Sequence, residues 1–201
     1  MPIKQSVCLP ILPPMDHGQL LREIAAIGYP AIEVWGRDND FSALCAEAAG
    51  HGLKVVSMIG HGSLPDGLNK PENHDRIEAE LRESIDFAVN YSVGGLICFS
   101  GNRVEGMEEE EAIENTVDGF LRVSSYAEEK GINLNLELLN SKVDHAGYQC
   151  DFTDWGLEVV ERVDSPRVKL LYDIYHMQIM EGDVIRTIEE HSAEFGHFHT
   201  A

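Results

Sequence analysis

The chain has 201 residues, is 43% hydrophobic and carries a formal net charge of −20. That is enough apolar material for one sizeable core, while so acidic a balance argues against nucleic acid as a partner, because phosphate binding needs a basic surface. Cys8, Cys45, Cys98 and Cys150 are scattered without a CxxC pair, no apolar run approaches a membrane span, and Met1-Pro2-Ile3-Lys4 leads straight into structure, so the expectation is a cytoplasmic protein with reduced thiols.

In chain order, short apolar runs alternate with amphipathic stretches. "KQSVCLP" (4–10) reads as a strand, and "DHGQLLREIAAIG" (16–28) as a helix with Asp16 as N-cap and Gly28 as its stop. "AIEVW" (31–35) is a strand, "DFSALCAEAAGHG" (40–52) a helix, and "LKVVSMIGH" (53–61) a strand followed by a helix over about 73–90. "GLICFSG" (95–101) is the fourth strand. The stretch 108–131 reads as one helix whose first-turn acids, Glu108–Glu111, suit the helix dipole and form a solvated start. "INLNLELLN" (132–140) and "VKLLYDIYH" (168–176) are strands with a helix at 154–163 between them. A helix over 183–195 leads to "GHFHTA" (196–201), a seventh strand.

Such alternation means parallel strands with helical crossovers, either a doubly wound sheet or a (β/α)8 barrel. No Gly-rich phosphate loop follows the first strand, which weakens the dinucleotide-binding sheet. A complete (β/α)8 TIM barrel needs eight units and about 250 residues. The expectation is therefore a single barrel domain over 1–201, truncated within its seventh βα unit, with the eighth strand and last helices absent. Its unpaired edge strands would invite self-association.

In a barrel, active groups gather at the C-terminal ends of the strands. Alternation puts Asn133, Asn135 and Glu137 on one face of strand five and Leu134, Leu136 and Leu138 on the other. The leucines would pack on helices and the polar face would look into the barrel. Asp173 ends strand six, where it could equally be a helix cap or turn former, and His176 follows in the loop. His197 and His199 share a face of strand seven, with His197 one step deeper as a hydrogen-bonding supporter. His61 ends strand three, and Ser100-Gly101-Asn102-Arg103 ends strand four. Taken singly, each of these is commonly an ion-pair partner, a cap or a core histidine. Three successive strands ending in ligand types point instead to a divalent metal, with mixed oxygen and nitrogen donors that suit Mg²⁺, Mn²⁺ or Co²⁺, and Zn²⁺ less exclusively. Met177 and Met180 read as packing. Arg103 and Lys142 could hold a substrate carboxylate, and His61 is a further candidate substrate contact.

"NLELLNSKVDHAGYQCD", "KLLYDIYHMQIMEGD" and "GHFHTA" closely resemble the hydroxypyruvate isomerase group of the xylose isomerase-like barrels, and "CLPILPP", "IEVWGRD" and "ICFSGNR" fit the same group. The resemblance implies a metal-dependent isomerase of the aldose–ketose or 2-oxo-acid type. It makes Glu137 both a metal ligand and a catalytic acid/base, Asp173 and His199 two further ligands, and His176 a substrate-contacting histidine. A second glutamate on the eighth strand and an arginine soon after "GHFHT" belong to the family pattern and lie beyond this sequence. Homo-oligomers are common in the family. The reaction implied moves a carbonyl between C2 and C3 of a small hydroxy-oxo acid, hydroxypyruvate or a 2-oxo-tetronate, through an enediolate. Two alternatives stand beside it: a ketose 3-epimerase with the same metal triad, and a catalytically incomplete barrel fragment that binds metal, sugar or only a subunit partner. A zinc phosphodiesterase on abasic DNA fits poorly with the acidic charge.

Overall fold

The structure is a computed structural model describing residues 3–37 and 40–200. Met1, Pro2, Asp38, Asn39 and Ala201, which include the chain start and the ends of the "IEVWGRD" and "GHFHTA" segments, lie outside the described residues. Seven strands form one parallel sheet in sequence order: β1 (Ser6–Cys8), β2 (Ala31–Glu33), β3 (Lys54–Ile59), β4 (Gly95–Cys98), β5 (Asn133–Glu137), β6 (Val168–Asp173) and β7 (Phe195–His199). The crossovers carry α1 (His17–Ile27), α2 (Phe41–Gly50), α3 (His74–Tyr91), α4 (Glu109–Leu121), α5 (Ser124–Lys130), α6 (Thr153–Val163), α7 (Ile174–Met180) and α8 (Val184–His191). Among the described residues β1 pairs only with β2, and β7 only with β6. The sheet is nonetheless rolled. In a flat sheet, five strand spacings of about 4.8 Å would hold β2 and β7 roughly 24 Å apart, yet Glu33 and His199 are 3.1 Å apart.

The two faces of β5 divide as alternation predicts. Leu134, Leu136 and Leu138 are fully buried, and α6 lies close enough that a Cβ on Gly156 would come within 2.9 Å of Leu170. The opposite face looks into the barrel and carries buried Asn135 and Glu137. Asn135 fits because β7 offers Gly196 beside it, where a Cβ would fall 2.2 Å from Asn135 Oδ1. Burial of a leucine in this layer contributes about 2 kcal/mol, which makes the leucine face the main source of stability and frees the inner face for polar groups.

Asp16 caps α1 by accepting the Gln19 N–H at 3.0 Å, and Gly28 ends the helix at φ 102°. Two elements depart from expectation. The long helix over 108–131 is interrupted at Arg122 and Val123. There fully buried Val123 turns inward, Arg82 donates to the freed Arg122 carbonyl at 2.9 Å, and Ser124 and Ser125 are weak helix formers. The strand expected through His176 stops at Asp173, whose Oδ1 accepts the His176 N–H at 3.1 Å and so starts α7. His176 is therefore held in a helix rather than a loop. Met177 and Met180 pack in the core, and all four cysteines are free thiols, Cys98 and Cys150 buried and the other two partly so. No described helix is long and apolar enough to cross a membrane.

Candidate active site

The C-terminal ends of β2, β5, β6 and β7 meet at a cavity of about 1000 Å³. Its lining includes Glu33, His61, Glu137, His145, Asp173, His176, His197 and His199 among apolar side chains such as Trp35, Leu64 and Phe99. β5 contributes Glu137 because its polar face points inward. β6 places Asp173 beside His199 through the register Asp173↔His199, and the irregularity between Leu170 and Leu171 brings His197 and His199 onto the inner face together.

His199 is the centre of the group. Its Nδ1 lies 3.3 Å from Glu137 Oε1 and 3.5 Å from Asp173 Oδ2. Its Nε2 lies 3.1 Å from Glu33 Oε2. Burial disfavours a charged imidazole here, but hydrogen bonds to Asp173, Glu137 and Glu33 outweigh it and push the His199 pKa up to about 12. The converse holds for Glu33. Burial would raise its carboxyl pKa, yet His197, His199 and Ser6 hold it well below the usual carboxylate range. His197 Nε2 lies 3.0 Å from the same Glu33 oxygen but is not aligned for a full hydrogen bond.

Asp173 divides its two oxygens, one capping α7 and one facing His199. His176 Nδ1 accepts from the Asn140 backbone N–H at 3.1 Å and from Asn140 Nδ2 at 2.6 Å. These bonds leave its proton on Nε2, 3.9 Å from Asp173 Oδ2. Burial lowers its pKa despite the nearby carboxylates, so His176 presents a neutral N–H donor to the cavity. His61 also lines the cavity, but both its ring nitrogens are used: Nε2 accepts the Phe99 N–H at 2.9 Å, and Nδ1 faces the Gly62 carbonyl at 3.2 Å. Burial pushes its pKa down to about 4, and it is neutral.

Glu137, Asp173, His199 and His176 are thus brought together, with His61 alongside. Two of the expected substrate contacts lie elsewhere. Arg103 forms a two-pronged ion pair with buried Asp151 (3.1 and 3.2 Å) and donates to the Tyr148 carbonyl, fastening the loop after β5. Lys142 donates to the Ile179 and Met180 carbonyls at the end of α7. Both cations answer local needs, a buried carboxylate and a helix C-terminus, and neither lines the cavity. Conversely, Glu33 was not singled out from the sequence. The available signal was a lone acid within the apolar run "AIEVW", and Glu33 lines the cavity from the end of β2.

One oxygen each from Glu137 and Asp173 and Nδ1 of His199 lie within 4.8 Å of one another, as one set of donors that could hold a metal. Three carboxylates converge here on two imidazoles, which leaves the cluster favourable to a cation. Two carboxylates and one imidazole suit a hard or borderline divalent ion.

The chain belongs to the family described as xylose isomerase-like TIM barrels, which it matches over residues 21–201. It is 26% identical over 195 residues to a putative hydroxypyruvate isomerase of Streptomyces coelicolor, covering 88% of this chain and 70% of the relative. It is 24% identical over 197 residues to the D-psicose 3-epimerase of Ruminiclostridium cellulolyticum, covering 92% and 66%. Among solved structures, the IOLI protein, which has a bound zinc atom, superposes with a TM-score of 0.77 at 16% identity, covering 98% of this chain and 72% of that one. The chain thus spans about seven-tenths of the length of these proteins, of which the two sequence relatives are named as an isomerase and an epimerase.

Proposed function

We propose that this chain carries the metal-binding and proton-transfer half of an enediolate-forming isomerase acting on a small hydroxy-oxo acid, with hydroxypyruvate and tartronate semialdehyde as the interconverted pair or a 2-oxo-tetronate in their place. The observation that carries the proposal is the placing of Glu137 Oε1 and Asp173 Oδ2 within 3.3 and 3.5 Å of one imidazole nitrogen, His199 Nδ1, in the wall of a cavity. Glu137, Asp173 and His199 would hold the divalent ion, with Mg²⁺ or Mn²⁺ favoured by the two carboxylates and Co²⁺ or Zn²⁺ compatible with the imidazole. When bound, the ion supplies Lewis-acid stabilisation of negative charge on the substrate oxygens.

Glu137 takes the proton from C3 of hydroxypyruvate to give the enediolate, the C3 hydroxyl proton passes to the C2 oxygen, and return of the proton from Glu137 to C2 leaves the aldehyde at C3. Glu137 can serve as this base because it stands in the cavity wall, within reach of a substrate held there. His176 offers its neutral Nε2–H to a substrate oxygen, and the apolar wall of Leu64 and Phe99 limits water.

A second reading, ketose 3-epimerisation of a free sugar, is favoured by one observation. Among the described residues that line the cavity, Lys4 is the only lysine or arginine, and it precedes β1, on the side away from the metal donors. A neutral ketose needs no cation there, whereas a carboxylate substrate would rely on the metal and on neutral donors. A panel of hydroxypyruvate, a 2-oxo-tetronate and C3-epimeric ketoses, each with Mg²⁺ or Mn²⁺, tests both readings. Turnover of the acids alone supports the first, turnover of the ketoses alone replaces it with the second, and no turnover of any by the metal-loaded chain rejects both.

A further inference from the structure

We infer that Glu33 is a positioning residue that grips Nε2 of His199 and thereby turns Nδ1 towards Glu137 and Asp173. The inference rests on the metal-binding reading above, but its first test is independent of metal.

An imidazole can present either nitrogen to a ligand group, and the choice follows from what the other nitrogen bonds to. Here the two nitrogens of His199 face opposite walls. Nδ1 looks to β5 and β6, 3.3 Å from Glu137 and 3.5 Å from Asp173. Nε2 donates to Glu33 Oε2 on β2 at 3.1 Å. β7 alone does not fix the ring, because it is paired only to β6 among the described residues and its inner-face side chains border open cavity. Glu33 supplies the missing restraint from across the barrel.

Glu33 is itself well anchored. Its residue is 4% exposed, its Oε1 accepts a hydrogen bond from Ser6 Oγ on β1, and it ends β2 in the cavity wall. His197 Nε2 stands 3.0 Å from Oε2. The chain Ser6, Glu33, His199 and then Glu137 with Asp173 thus crosses the barrel from β1 to β6.

The same residues allow a different role. Glu33, His197 and His199 also bring donor atoms within 4.8 Å of one another, so Glu33 could ligate a second ion. The geometry favours positioning, because His199 Nε2 is occupied as a hydrogen-bond donor while its Nδ1 faces the other carboxylates.

The test uses the full chain and the variants Glu33→Leu, Glu33→Gln and Ser6→Ala. In metal-free protein, proton NMR should show the His199 Nε2–H as a downfield, slowly exchanging resonance that is lost in Glu33→Leu. It should persist in Ser6→Ala with faster exchange. Titration with Mn²⁺, followed by electron paramagnetic resonance of the free ion, should give one site, about 10- to 100-fold weaker in Glu33→Leu, the range seen when a partner of a metal-binding histidine is removed. Glu33→Gln keeps an acceptor oxygen and should retain much of the affinity. If Glu33→Leu does not fold, Glu33→Gln and Ser6→Ala decide by the same two readouts. A wild-type chain without the protected Nε2–H, or a Glu33→Leu variant with unchanged Mn²⁺ affinity, overturns the inference. Two Mn²⁺ ions in the wild type and one in Glu33→Leu would also overturn it, in favour of direct ligation. A wild type that shows the protected proton yet takes no Mn²⁺ would sink the metal reading while upholding the grip of Glu33.

Discussion

Two groups of charged side chains sit in and beside the same loops of this barrel, and they differ in how their charges are met. Around Asp151, each carboxylate oxygen has a guanidinium nitrogen of Arg103 within 3.2 Å, and the group closes on itself away from the cavity. Around His199, three carboxylates share one strongly held imidazole and one poorly aligned one, and all of them face open space. A buried ion pair that is satisfied in this way is a fastening. A cluster with donor atoms left over, aimed at a cavity, is a place for a ligand. Residue type alone would have put Arg103 in the second class.

The contrast can be broken at its strongest point first. Asp173→Ala should weaken Mn²⁺ binding by more than about 100-fold, beyond what loss of a mere outer partner gives, and should also cost about 1 kcal/mol for the lost cap of α7. Asp173→Asn keeps the cap and should lose only the metal, so calorimetric melting beside Mn²⁺ titration separates the two jobs. Equal melting losses in both variants would show that the cap is not what Asp173 contributes.

A second prediction concerns protons. With its pKa raised from 6.5 to about 12, His199 is protonated in the metal-free chain at neutral pH, and a metal taking Nδ1 must displace that proton. Titration calorimetry in buffers of different ionisation enthalpy at pH 8 should show release of about one proton per ion, and affinity should rise about tenfold per pH unit. For the metal-free fold the sign is opposite. The charged His199 contributes stability that is fully present below about pH 6.5 and is lost as the pH climbs towards 12. No proton release would mean that His199 does not ligate.

The fastening group should behave differently. Arg103→Ala leaves Asp151 buried without its cation and should cost about 2 kcal/mol, seen as a lower melting temperature, with Mn²⁺ affinity changed little. A large loss of substrate affinity without loss of stability would return Arg103 to the substrate site. Smallest of all, Lys142→Ala should remove about 0.5 kcal/mol from the end of α7 and leave binding intact.

Much of this was legible in the sequence, for physical reasons that can be named. The alternation in "NLNLELL" can be read because one face must be apolar to pack on helices, and it placed Glu137 inward correctly. Asp173 and His199 followed from their positions at strand ends. What could not be read was pairing between distant residues. The partner of Arg103 lies 48 positions away, and nothing local in "SGNRVEG" reports it. Helix α7 was only partly legible: Asp173 could be read as a cap, but β6 runs into the helix without a turn, so the run to His176 still reads as strand. Glu33 was hidden because a three-residue strand is too short to show a period.

The most direct measurement is deuterium exchange at C3 of hydroxypyruvate, followed by proton NMR in D₂O with Mg²⁺, for the wild-type chain and Glu137→Gln. The account predicts loss of the C3 proton signal with the wild type and a rate lower by about 10³-fold in the variant, the scale of a lost general base. Exchange at the same rate in both, or none from a folded, metal-loaded wild-type chain, would contradict the assignment of Glu137 as the base.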